Sequence, residues 1–75
     1  MTKSNFDNHL YTLFPIKTNN EIEKKTTYCF SMPEKGYVFY IGSYNLGRVT
    51  KIITKKYKFM VFETKLGIFK LKKYK

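Results

Sequence analysis

From Thr26 to the C-terminus, apolar and polar side chains alternate in short runs broken by glycines, a proline and a lysine pair. Residues 26–32 place Tyr28, Phe30 and Met32 on one face and Thr27, Cys29 and Ser31 on the other, the two-residue period of a strand. Pro33-Glu34-Lys35-Gly36 reads as a turn. Residues 37–41 are apolar throughout, as expected of a strand buried on both sides or one that bends. A loop bracketed by Gly42 and Gly47 follows, with Tyr44 at its tip, and then a β-branched, basic strand over 48–54. Lys55-Lys56 marks a turn, and strands over 57–62 and 68–73 complete the pattern. If Phe59 and Val61 share a face with Phe69 and Leu71, the last hairpin needs an odd-length turn. Lys65-Leu66-Gly67, with Gly67 left-handed, provides one. The opposite face then carries Lys58, Met60, Phe62, Ile68, Lys70 and Lys72.

The first 25 residues follow another period. Phe6, Leu10, Leu13 and Phe14 fall at i, i+4, i+7 and i+8, one face of a short helix. Ser4 followed three positions later by Asp7 is a loose capping box at its start, and Pro15 closes it. A helix of barely three turns depends on tertiary packing. Residues 17–25 are polar, with a turn at Asn19-Asn20. The expectation is one domain over 1–75: a helix and polar connector over 1–25, then a mainly β, five-stranded antiparallel barrel over 26–75.

Residues 42–52, with Gly47-Arg48-Val49-Thr50-Lys51-Ile52, resemble the strand-loop-strand of SH3-like barrels, particularly the KOW motif of ribosomal and transcription-elongation proteins. The resemblance spans about residues 37–62. It implies an SH3-like barrel and adds slight weight to nucleic-acid binding.

Composition limits how such a domain is held together. Seventy-five residues bury a modest core, which seven Phe and seven Tyr supply without disulfides. Cys29 is the only cysteine, which favours a reducing compartment and, inside a strand, an inert packed thiol. The longest apolar run is five residues, far short of a membrane span, and no signal peptide is visible, so a soluble cytoplasmic protein is expected.

The net charge of +10 is unevenly spread. Residues 1–36 hold five Lys against Asp7, Glu21, Glu23 and Glu34, a net +1. Residues 37–75 hold nine Lys and Arg48 against Glu63 alone, a net +9. Lys, Tyr, Phe, Ile and Asn make up 39 of the 75 residues, the mark of an A- and T-rich coding sequence. Such a bias explains Lys in place of Arg; it does not explain why the excess sits in one half.

Catalytic chemistry finds little to use: one His, one Cys and five scattered carboxylates, with no spacing suited to a metal and no phosphate-cradling loop. His9 has nothing nearby to orient it and reads as a solvated surface residue. No enzyme, cofactor or metal is therefore expected. Interleaved cations and rings remain, and this mixture suits nucleic acid, since cations track phosphates while rings stack on bases. The expected binding residues are Tyr44, Arg48, Lys51, Lys55, Lys56, Lys58, Lys70 and Lys72. Arg48 stands out as the only arginine, its planar fork able to grip a phosphate through two bonds. The plainer reading makes the rings core and the lysines solubilising or edge-guarding. The competing function is protein binding, as in a phage or viral inhibitor of a host nucleic-acid enzyme or an accessory subunit of a ribonucleoprotein or polymerase. The face of Phe6, Leu10, Leu13 and Phe14 would then dock on the partner.

Overall fold

The computed structural model describes residues 10–19, 21–29 and 31–74. Six strands form one antiparallel sheet: β1 (Leu10–Thr18), β2 (Lys25–Tyr28), β3 (Val38–Ile41), β4 (Tyr44–Lys55), β5 (Phe59–Thr64) and β6 (Gly67–Lys73). Their order across the sheet is β2-β1-β6-β5-β4-β3. The meander β3 to β6 thus receives the β1–β2 hairpin on its β6 edge. The Gly42 N–H donates to the Tyr28 carbonyl at 2.9 Å, bringing the β3–β4 turn against the end of β2. The result is a small, nearly closed barrel consistent with the SH3-like class. Among the described residues no helix is long and apolar enough to cross a membrane.

The expected count of five strands was one short, because β1 occupies part of the segment read as a helix. Phe6 lies outside the described residues. Leu10, Leu13 and Phe14 lie in β1, and Leu13 is completely buried among the barrel's own core residues. Apolar spacing over so few residues fits either period. Nine residues, seven of them Tyr, Thr, Leu, Phe or Ile, are stabilised better by two hydrogen-bonded neighbours than by an isolated short helix. Pro15 does not close an element; a register shift between Pro15 and Lys17 accommodates it within the strand.

The core is layered on Phe62. Its ring meets Phe39 edge-on, with centroids 5.3 Å apart at 74°, and Phe69 at 5.8 Å. Leu13, Ile41, Leu46, Val49 and Leu71 fill the space around them. In β5 and β6 the register pairs Met60 with Leu71, Phe62 with Phe69 and Thr64 with Gly67. The turn is therefore the two residues Lys65-Leu66, not three, and the inward face is Met60, Phe62, Phe69 and Leu71. Phe59 and Val61 face outward with Lys70 and Lys72. Both alternating sets in β5 are apolar, so alternation alone left the choice open. Gly67 fits the turn that the other set requires, but it is glycine for a different reason. Its φ is 140°, and an added Cβ would strike the Lys17 carbonyl oxygen and come within 2.6 Å of Thr18 Cα. Close approach of β1, not the turn, excludes a side chain there. Asn19 then ties this turn to β1, donating from its backbone N–H to the Leu66 carbonyl and from Nδ2 to the Lys65 carbonyl, each at 3.0 Å.

Two other expectations change, and one is narrowed. The strand expected over 26–32 is the shorter β2, and Cys29 lies just beyond it, buried. Of the two readings of 37–41, the structure fits the strand that bends: a register shift falls between Phe39 and Tyr40, and Phe39 and Ile41 are buried while Val38 and Tyr40 are exposed. The loop between Gly42 and Gly47 is a two-residue turn, Gly42-Ser43, with Ile41 paired to Tyr44. Gly42 has φ of 60°, as the first position of a type II′ hairpin turn requires.

Candidate nucleic-acid interface

β4 is bent by register shifts at three places, between Phe39 and Tyr40 of its β3 partner and twice against β5. Its two ends therefore serve different parts of the barrel. At the N-terminal end lies Tyr44, which is in the strand and not at a loop tip. The Lys25 ammonium sits over its ring, 4.0 Å from the centroid. Arg48 lies opposite Val38, and its Nη1 donates to the Gly36 carbonyl at 2.5 Å. That bond, with the Gly36 N–H to Val49 carbonyl bond at 2.8 Å, fastens the turn before β3 to β4. Lys51 is exposed and pairs in register with Glu63.

At the other end β4 turns into β5 through Lys56-Tyr57-Lys58, closed by the Lys56 N–H donating to the Phe59 carbonyl at 2.8 Å. Tyr57 is thus at the apex of this turn, 96% exposed, and β5 begins two residues later than expected. The end of β6 runs beside this turn, with the Lys73 N–H donating to the Lys58 carbonyl at 3.3 Å. Tyr74 follows, donating its N–H to the Leu10 carbonyl at 2.9 Å.

Between these elements lies a groove of about 660 Å³. Its floor includes Met60 and Leu71, paired in register and buried, and Tyr11, which packs against the core. Met32 and Phe59 add apolar wall, and the rings of Tyr57 and Tyr74 stand at the edge. Five lysines line it: Lys55, Lys56 and Lys58 from the β4–β5 turn, and Lys72 and Lys73 from β6. Among the described residues no carboxylate lines it. The charged side chains described there are all cationic, beside the exposed rings of Tyr57 and Tyr74.

Four of the eight expected binding residues converge here: Lys55, Lys56, Lys58 and Lys72. Tyr44, Arg48 and Lys51 do not line the groove, and neither does Lys70, whose ammonium lies 4.7 Å from the Phe59 centroid. Tyr11, Lys73 and Tyr74 are not among the residues expected from sequence, whereas Tyr57, like Tyr37, Tyr40 and Tyr44, is a ring interleaved with the expected cations. The run Lys70-Leu71-Lys72-Lys73-Tyr74 carried the signal, since a basic strand ending in tyrosine presents cations and a ring together. Of the proposed partner-docking residues, Leu13 is buried, Leu10 and Phe14 are partly buried in β1, and Lys24 lies over the Phe14 ring at 5.5 Å.

The thiol of Cys29 is pushed up to about 11 from its usual 9.0 by desolvation in the core. It remains protonated at neutral pH, the state of an inert packed cysteine.

Fold and groove together define a small basic β-barrel with a charged, aromatic-rimmed groove at one end. Compared with known proteins, the chain matches no family model, no curated protein and no solved structure.

Proposed function

We propose that this protein binds nucleic acid through the groove formed by the β4–β5 turn and the end of β6. The observation that carries the reading is the convergence of five lysines on one groove that also holds Tyr57 and Tyr74, with no carboxylate among its described lining residues. Lysines that merely keep a protein soluble are ordinarily interspersed with acids. Here cations from two separate elements meet with none among the described residues. The resemblance of residues 42–52 to KOW-type barrels points the same way.

Lysines bind phosphates by displacing condensed counterions, so affinity falls as salt rises. Five phosphate contacts on a single strand give a log-log slope of about −3.5. Fluorescence anisotropy of a labelled oligonucleotide across a salt series measures it. Absence of binding at low salt would sink the reading.

A second reading has its own observation. Residues 36–47 carry no charge in a chain of net charge +10, and Tyr37, Val38 and Tyr40 on the β3 side are exposed. Exposed apolar side chains without guarding lysines suit a protein partner better than a phosphate. Co-purification at low salt before and after nuclease treatment separates the two: nucleic acid disappears on treatment, a protein bound at β3 stays.

A further inference from the structure

We propose that the groove takes an unpaired base, with the adjoining phosphates held by the lysines that line it, so that the protein selects single strands over duplex. This inference rests on the nucleic-acid reading above and makes it specific.

Phosphate binding alone needs only the rim. The groove has more than a rim: Met32, Phe59 and Tyr11 give it apolar walls, and the buried Met60 and Leu71 close its floor. A volume of about 660 Å³ is within the range of clefts that take small molecules. Thioether and ring surfaces suit the flat, polarisable face of a base. Tyr57 and Tyr74, 96% and 57% exposed, add rings that can lie against a base or its neighbour while their hydroxyls stay wet.

The lysines are placed to match. Lys56 and Lys58 come from one turn and Lys72 and Lys73 from the strand end hydrogen-bonded beside it, and all four line the groove. A backbone running along these lysines keeps its phosphates on them and leaves a base free to enter the groove. A duplex offers its phosphates to the same lysines, but its base faces are stacked on one another and reach the floor only by unstacking.

Three ligands of equal length separate the terms: an oligothymidylate, an oligomer of the same phosphates with abasic sugars, and a duplex. At matched salt the thymidylate should bind about tenfold tighter than the abasic oligomer, the share of affinity that stacking contributes. The duplex should bind more weakly than the thymidylate. Tyr74→Ala and Tyr57→Ala, both at exposed positions, should weaken thymidylate binding without changing its salt slope and leave abasic binding as it was. Equal affinity for the abasic and thymidylate oligomers would overturn the inference while leaving the nucleic-acid reading intact. A duplex bound as tightly as the single strand would also overturn it. Failure of all three ligands to bind overturns both.

Discussion

The two ends of β4 hold the same kinds of side chain and use them in different ways. At the N-terminal end, Lys25 rests on the Tyr44 ring and Arg48 is bonded to the Gly36 carbonyl. Each cation there has a partner inside the molecule. At the C-terminal end, Lys55, Lys56 and Lys58 meet Lys72 and Lys73 around a groove with no carboxylate among its described lining residues. A cation already neutralised or fixed by its own chain has less to offer a ligand; one held among like charges gains from any anion that arrives. Residue identity favoured Arg48, because a lone arginine in a lysine-rich chain looks selected. Placement favours the lysines.

Both ends depend on one junction, which gives the test of largest effect. Gly67→Val forces a side chain into the backbone of Lys17 and Thr18, separating β6 from β1. The cost is about 3 kcal/mol, a large part of the total for a domain of this size. Urea denaturation should show a much lower midpoint or no folded state, with loss of groove and hairpin together. A variant with wild-type stability would mean that β1 does not pack as described.

Removing the cations at one end and then the other tests the comparison itself. Lys55→Ala, Lys56→Ala and Lys58→Ala combined should weaken oligonucleotide binding and flatten the salt slope by about 2, one counterion contribution for each lost contact. Arg48→Ala with Lys51→Ala should leave binding and slope nearly unchanged. It should instead lower stability by about 1 kcal/mol, since the Gly36 carbonyl loses its donor. The reverse pattern, with binding lost in the second variant and kept in the first, would move the site to the other end of β4.

The sequence made part of this legible. Strands β4, β5 and β6 announce themselves through alternation and turn residues, and the uneven charge points to the half of the chain that supplies the groove lysines. Two features were hidden because their causes are not local. Leu10, Leu13 and Phe14 fit a helix by spacing, and only the pairing of β1 with β2 and β6 decides for a strand. In β5 both alternating sets are apolar, and Gly67 was read as a turn residue when it is required by a strand from the other end of the chain. The groove was half visible for the same reason. Lys55, Lys56 and Lys58 are neighbours in sequence, whereas Tyr74 and Tyr11 reach them only through the pairing of β6 with β5 and of β1 with β6.

The smallest effect concerns the seam where the β3–β4 hairpin meets β2, beside Cys29. Burial raises its thiol to about 11 from 9.0, so the folded state holds the proton more tightly than the unfolded chain does. The resulting stability is fully present below pH 9 and is lost as pH rises toward 11, because the unfolded thiol ionises first. Tyrosines and lysines titrate in the same range, so the measurement is a difference between the wild type and Cys29→Ser. Across that window the wild type should lose on the order of 1 kcal/mol more stability than the variant. The variant should also be less stable at neutral pH, since a hydroxyl replaces a packed apolar sulfur, and its oligonucleotide binding should not change. In the native wild type the thiol should react with iodoacetamide slowly at neutral pH and quickly once urea unfolds the chain. Rapid labelling of the folded protein, together with identical pH profiles for the two proteins, would mean that the seam is open and Cys29 is in contact with water.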